Sequence, residues 1–587
     1  MQSVNQNPQF RANRKYYGHD LSQHVEFTSS VGHMLPVFYD VVNPGEKYNI
    51  QTYLKSRTQP LAANTFTKID EYIEWFFVPI HQIYKPFGNW FYGVQDFDST
   101  LFQGTTGSGT YDPKIGIKLP YLKSYIFSTL FDTYSGEGWR TLKNEQWYAG
   151  VVRLAEHLGI CDYEILDRVQ GIDDNYWSIT PILFAAYQKI WMDYFRDSNR
   201  IENDPRSYNL DQFYSSDDSM EAFTDLSDFR QLFEMRYRPM RKDFFTNTFP
   251  SPIFGGGIIG SQSFVDGQTQ YESTLERVNQ WLTNLSKIEI TSTTGSGDTG
   301  DPANASLGNN NQLAHQSDMN RANIETLFAT EKLLEITRRS GKHYDAQTLA
   351  HFGVEVPDTI EGKAHFLGRH TQEIIIGDVV STADTSSGSD GMPLGEIAGK
   401  GYSGETSKTI KFTAPCHGIL MGLYSAAPKQ EYYQQYLDKL NCLINKEDWY
   451  VPEYDNLGMQ PIFGYQTKLD DSVPANTKIL GWQYRYMEFK QKVNRIISGL
   501  KYTQKHWTAG IPSEYASGTK AEQYYVSPGA LDSAMLYGYN YGFRTGEQEA
   551  QIVGSASELY QSDPLIHDLK IDVKKASTMS TYGLMEL

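Results

Sequence analysis

The 587-residue sequence is poor in cysteine: Cys161, Cys416 and Cys442 are far apart and form no C-x-x-C pair, which excludes a disulfide framework and a cysteine-based zinc knuckle. Such a chain reads as one made in a reducing cytoplasm. Basic charge is also scarce, with 52 Lys and Arg against 70 Asp and Glu and a formal net charge of -18. Proteins that coat nucleic acid neutralise phosphates with an overall excess of Lys and Arg, so any contact with nucleic acid here is local. No run of about 18 apolar residues occurs, and the opening MQSVNQNPQFRANRKYYGHD has no apolar h-region. Neither a membrane span nor a secretory signal is read.

Arrangements that carry chemistry are missing as well. There is no H-E-x-x-H and no G-x-S-x-G. The stretch Gly104 to Thr110, GTTGSGT, lacks the lysine that a phosphate loop needs, and the acidic residues between Asp384 and Glu396 do not fall at calcium-loop positions. Cys416 and His417 are adjacent and read as strand residues, since sequence neighbours cannot form a nucleophile and base pair by themselves. No spacing singles out two of the many carboxylates for glycoside cleavage. The expectation is no catalytic residue, no metal ligand, no cofactor and no enzyme activity.

What the chain does have is aromatic side chains: 41 Tyr, 30 Phe and 10 Trp, enough to fill a large core and leave some for interfaces. Alternation of Tyr48, Ile50, Thr52 and Leu54 predicts a half-buried strand over about 46–56. The run YIEWFFV, 72–78, predicts a strand packed on both faces, central in its sheet. Near the C-terminus, LGWQYRYMEF predicts a strand with Trp482, Tyr484 and Tyr486 on one face. YGYNYGF repeats the pattern, and LKIDVKK sets Leu569, Ile571 and Val573 opposite Lys570, Asp572 and Lys574.

Helices lie between. Thr180-Pro181 supplies an N-cap and a first-turn proline ahead of Phe184, Tyr187, Trp191 and Phe195 at helical spacing. Ser273 and Glu276 form a capping box, and the pattern from Ile324 to Arg339 ends at Gly341. Residues 291–316 contain only Leu307 and Leu313 as large apolar residues and read as an exposed loop. Strands at both ends, split by long helical and Gly/Ser/Asn-rich stretches, suggest one mainly β sandwich or barrel elaborated by excursions.

Two basic clusters stand out against the acidic background: Arg11, Arg14 and Lys15 in a polar N-terminal arm of residues 1–20, and Arg236, Arg238, Arg241 and Lys242 in RYRPMRKDFF. Each has nearby Tyr or Phe that could stack on unpaired bases, and both are candidate DNA contacts. The competing reading is pairing with neighbouring carboxylates.

Five blocks in one order then carry a resemblance. MLPVFYDVVNPGEKYNIQ with EWFFVPIHQIYKPFGNW, FAAYQKIWMDYFRDSNR, RKDFFTNTFPSP, ATEKLLEITRRSGKHYDAQTLAHFGVEVPD and GWQYRYMEFK, the last followed by Trp507, resemble segments of Microviridae major capsid proteins, especially the gokushovirus-like branch. The resemblance covers about 24–510, and residues 91–175 and 197–235 depart from it. It implies a single eight-stranded jelly roll over 21–587, with insertions at about 91–235 and 255–400. The implied product is a T=1 icosahedral shell, assembled from pentamers in the bacterial cytoplasm around circular single-stranded DNA. Implied partners are further copies of the chain, the packaged DNA, minor spike or pilot and internal scaffolding proteins, and a host receptor, with no membrane insertion. The resemblance further implies a surface protrusion at about 255–320, with Ser273, Trp281, Gly297, Asn304 and Asn310 as candidate exposed residues. The rival reading is a glycan-binding or glycan-cleaving β-sandwich.

Overall fold

A computed structural model describes residues 15–58, 66–92, 119–123, 145–160, 178–211, 231–250, 321–340, 344–357, 362–380, 397–433, 438–455, 458–463, 466, 479–504, 507–508 and 563–580. The chain divides into two units, 1–250 with 355–587, and 251–354.

The first unit is built on ten strands: β1 Tyr17–Asp20, β2 Gln23–Ser29, β3 Leu35–Val42, β4 Lys47–Thr58, β5 Ile69–Pro79, β6 His365–Val380, β7 Ile397–Thr406, β8 Ile410–Thr413, β9 Gly418–Pro428 and β10 Leu565–Ser577. All pair antiparallel, and eight of them fall into two four-stranded sets, β2-β10-β4-β7 and β3-β9-β5-β6. Numbered along the chain, those eight strands run in the spatial orders 1-8-3-6 and 2-7-4-5, the alternation of two Greek keys that defines a jelly roll. β6 joins the sets, pairing with β5 up to Ile374 and with β7 from Ile375 onward. β1 extends the edge beside β10, and β8 continues the line of β7 along β4.

Alternation explains which side of each strand enters the core. β10 buries every second residue from Leu565 to Ser577 and leaves Ile566, Lys570 and Lys574 outside; β4 does the same from Tyr48 to Thr58. β5 is buried on both sides because its outer face is also covered: Phe76 meets Tyr194 and Phe195, with ring centroids 5.1 and 5.9 Å away. Tyr194 and Phe195 follow helix α2, Ile182–Ile190, in a π-helical turn, Trp191–Phe195. The expected helical residues Phe184, Tyr187, Trp191 and Phe195 are all buried, yet the last turn widens, so the α-helix ends at Ile190.

Turn chemistry fixes the loops. Between β3 and β4, Asn43-Pro44-Gly45-Glu46 closes with Glu46 N–H donating to Asn43 O at 3.2 Å, and Gly45 has φ +84°. Proline then glycine is the residue order such a turn requires. Helix α1, Glu145–His157, ends at Gly159 with φ +70°.

Two readings are corrected. Tyr486 does not extend the strand of Trp482 and Tyr484: that strand is Ile479–Tyr484, and Tyr486 takes φ +59° ahead of the short helix Met487–Lys490. Cys416 and His417 lie in a bend between β8 and β9, where His417 packs on Phe87 and Phe91 with centroids 5.5 and 4.5 Å away. The segment YGYNYGF lies outside the described residues, as do residues 104–110, 384–396 and the helix expected after Ser273.

The second unit contains helix α3, Arg321–Ser340, and helix α4, Tyr344–Phe352. Gln347 Nε2 donates to Thr337 O at 2.8 Å and links the two. α4 has no buried residue, and Phe352 is 80% exposed.

Candidate functional surfaces

Between the two sheets lies a buried polar knot. Glu71 of β5 accepts hydrogen bonds from Tyr424 Oη (2.8 Å), Gln372 Nε2 (2.7 Å) and Ser403 Oγ (2.8 Å), while His567 Nδ1 of β10 stands 3.4 Å from its carboxyl group. His567 is also 2.8 Å from both Ser29 Oγ and Ser56 Oγ. Burial and the nearby His157 push the His567 pKa down to about 3; burial and Arg153 push that of His157 down to about 4. Ser, His and Glu in reach of one another are the residue types of an acyl-transfer triad. Here Ser29, Ser56 and Glu71 are 0% exposed and His567 1%, so no substrate meets them without parting the sheets. The knot ties strands of both sheets to one carboxyl group.

The basic segment 231–242 is held by α2. Gln188 Nε2 donates to Leu232 O (3.0 Å) and Glu234 O (2.7 Å), and Tyr187 Oη accepts from Arg236 N–H at 2.8 Å while donating to Met34 O at 2.9 Å. Arg236 donates to Gln188 Oε1 (2.7 Å) and Glu234 Oε2 (2.9 Å), with its guanidinium 4.7 Å from the Trp191 ring centroid. Arg238 is buried; it donates to Glu74 Oε2 and Ser425 Oγ, both at 2.7 Å, and stacks 3.7 Å from the Tyr72 ring centroid. Glu74 also binds Arg369. Arg241 and Lys242 are exposed.

Sequence reasoning thus grouped four cations that the fold separates: two are held by partners inside the subunit, and two face outward. Nothing in RYRPMRKDFF marks Arg238 for burial, because its partner Glu74 is distant in sequence. Just beyond, Asp243 Oδ1 accepts from Phe245 N–H (2.9 Å) and Thr246 N–H (3.0 Å), an Asx turn that seats Phe244 and Phe245 against Tyr432 and Ile462. Lys15 is exposed, whereas Arg11 and Arg14 lie outside the described residues, as do Ser273, Trp281, Gly297, Asn304 and Asn310.

A third surface was not read from the sequence. In the excursion between β9 and β10, buried Tyr486 is flanked edge-on by Tyr450 and Phe489, with centroids 5.4 and 6.1 Å away, and Arg485 lies 5.1 Å from its ring centroid. Tyr450 is 52% exposed, Phe489 43%, and Trp449, next to Tyr450 in the chain, 57%. Exposed aromatics beside arginine are the composition of protein–protein interface centres.

The phage capsid protein (F protein) family matches residues 162–507, more than half of the chain. The chain belongs to that family. It is a capsid protein, as the resemblance to Microviridae major capsid proteins implied, and the jelly roll is the fold that resemblance called for. Capsid protein VP1 of Chlamydia phage 1 is 27% identical over 191 residues, 31% of this chain and 31% of that protein. Capsid protein VP1 of Bdellovibrio phage phiMH2K is 22% identical over 487 residues, 79% of this chain and 78% of the relative. Capsid protein VP1 of Spiroplasma virus 4 is 23% identical over 367 residues, 58% and 62% respectively. The chain is therefore matched over about a third of the Chlamydia phage protein's length, and over most of the Bdellovibrio phage protein's. The glycan-binding alternative finds no support in these relatives.

Proposed function

We propose that copies of this chain tile a small icosahedral shell that encloses circular single-stranded DNA, with pentamers as the assembly intermediate. The observation that carries this reading is the exposed aromatic patch of Trp449, Tyr450 and Phe489 on an excursion of a jelly roll. Large apolar side chains left in water at one place favour association, because each gains on the order of 25 cal/mol per Å² when covered. A closed shell needs several distinct patches, self-complementary at two-fold axes and head-to-tail around three-fold and five-fold axes, and long excursions supply them without disturbing the roll.

The work on this reading is binding rather than turnover. Contact with the packaged strand is assigned to Lys15, with the arm before it, and to Arg241 and Lys242, the outward-facing cations of the second cluster. The segment around 255–320 is assigned to the outside of the particle, where a host receptor and the minor virion proteins would meet it.

Electron microscopy and sedimentation of the purified full-length chain test the proposal. Uniform closed shells or pentamers are expected. The double variant Trp449→Ser/Tyr450→Ser is expected to keep the far-ultraviolet circular dichroism of the subunit and to stop assembly. A wild-type chain that stays monomeric under virion-like conditions overturns the reading.

A further inference from the structure

The outward face of the β1-β10-β4-β8 region holds a depression of about 600 Å³. Register sets its walls. One row across the four strands is Asp20, Lys574, Asn49, Lys411, and the next row on the same face is Gly18, Ala576, Lys47, Thr413. Two residues along a strand are about 7 Å apart and neighbouring strands about 5 Å, so Lys47, Lys411 and Lys574, which all line the depression, have stems long enough to reach one bound group. Gly18 and Ala576 leave the centre low: a methyl group placed on Gly18 would meet nothing within 4 Å.

The charge of this spot runs against the chain. Lys47, Lys411 and Lys574 are exposed, and among the described residues only Lys574 has a carboxylate partner, Asp20. Lys47 instead lies over the Tyr16 ring, 5.7 Å from its centroid. Among the described residues no carboxylate pairs with Lys47 or Lys411. Beneath, buried Lys575 meets two carboxylates, Glu46 at 3.0 Å and Asp40 at 3.2 Å, so this trio carries one net negative charge and offsets part of the surface charge. Counted together, four lysines against Asp20, Glu46 and Asp40 leave the spot with one net positive charge in a chain of net charge -18. The Asn49 amide and Thr413 hydroxyl stand in the same two rows as further donors, and Tyr16, whose ring lies beside Lys47, is 51% exposed.

We propose that this depression is a binding site for backbone phosphate of single-stranded DNA, held by Lys47, Lys411 and Lys574, with Asn49 and Thr413 as neutral donors. The inference rests on the capsid reading and adds to it a site on the roll itself, apart from the basic segments. An acidic segment of another subunit is the competing partner. Nucleic acid is favoured because uncharged donors and an exposed tyrosine accompany the lysines, the combination that holds a phosphate and stacks a base.

The test uses full-length unassembled subunits, the double variant Lys47→Gln/Lys411→Gln, and Lys570→Gln as a control on the same face, where Lys570 pairs with Asp572 at 3.3 Å. Fluorescence anisotropy with oligo(dT) is measured from 50 to 200 mM salt, with tripolyphosphate as a second probe and assembly scored by microscopy. The slope of log affinity against log salt is expected to shrink by about 1.4 in the double variant, about 0.7 per lost contact, and to stay unchanged in the control. An unchanged oligo(dT) slope overturns the site, as does a loss confined to tripolyphosphate. Loss of assembly with DNA affinity intact assigns the lysines to a neighbouring subunit and also overturns it. Wild-type chain that forms no shell counts against the capsid reading, which the microscopy arm reports separately.

Discussion

The rings of Tyr424 and His567, 4.5 Å apart between centroids, come from opposite sheets of the jelly roll and close on the same Glu71 carboxyl group. Tyr424 presents its hydroxyl to the carboxyl group, and burial together with the Glu71 charge pushes its pKa well up. The pair makes the contact between the sheets depend on an uncharged imidazole.

That dependence has a sign. His567 has a folded-state pKa of about 3 and His157 about 4, both below the unfolded value of about 6.5. Between those limits the unfolded chain binds protons that the folded chain refuses, so stability is full above pH 6.5 and declines as pH falls toward 3. Each histidine adds up to about 1.4 kcal/mol per pH unit to the slope. Denaturation midpoints of the subunit at pH 7, 6, 5 and 4 should fall progressively, and His567→Gln should flatten the profile while lowering its plateau. A variant with the wild-type slope would remove His567 from this role.

Arg153 of α1 and Asp563, just before β10, form a buried two-point ion pair, Nη1 to Oδ2 at 2.6 Å and Nη2 to Oδ1 at 3.0 Å. Removing one partner leaves the other charge buried without its principal counter-ion, a loss of about 3–5 kcal/mol. Arg153→Met alone should therefore lower the denaturation midpoint more than the pair Arg153→Met/Asp563→Leu. Equal destabilisation in the single and double variants would show that packing, not charge, is what Arg153 contributes.

The second basic cluster separates by the same physics. Arg238→Gln breaks the bond to buried Glu74 and should destabilise the subunit by about 2–4 kcal/mol, with little change in the salt dependence of DNA binding. Arg241→Glu/Lys242→Glu should leave thermal stability within about 0.5 kcal/mol and reduce the salt slope for oligo(dT). Reversed outcomes for the two variants would mean that the buried arginine reaches DNA after all.

Much of this roll can be read from alternation. The strands around Tyr48 to Leu54 and Leu569 to Val573 show one buried and one wet face, and YIEWFFV shows two buried faces because α2 covers the side that the partner sheet does not. The helix after Thr180-Pro181 was legible from its period, but Pro181 is its N-cap rather than its first residue and makes no side-chain cap bond. Tyr486 was misplaced because its period-two position continues the strand, whereas its left-handed φ depends on tertiary contacts. Functional surfaces were harder to see. Lys47, Lys411 and Lys574 lie hundreds of residues apart and are grouped only by strand register, and Arg238 resembles an exposed cation until Glu74 is placed beside it. The arrangement of Glu71, His567 and Tyr424 likewise follows from pairing of distant strands.

Gly418 opens β9 where β5 passes closest. A methyl group there would lie 2.3 Å from Phe77 Cε2, 2.4 Å from Phe77 Cζ and 2.7 Å from the Val78 carbonyl oxygen. The ring could rotate, but the carbonyl belongs to the strand that pairs with Gly418 and Ile419 and cannot withdraw without spoiling that register. Gly422, four residues on, is less confined: its methyl would meet the Trp75 ring at 3.2 Å and no backbone atom among its nearest contacts. Overpacking typically costs about 1–3 kcal/mol. Gly418→Ala should fall at or above the top of that range and Gly422→Ala near the bottom, read from denaturation midpoints of the unassembled subunit. Adding Phe77→Leu to Gly418→Ala should recover only part of the loss, because the clash with the Val78 oxygen remains. Full recovery would place all of the strain on the ring, and a Gly418→Ala subunit as stable as wild type would mean that the two strands are not held as closely as described.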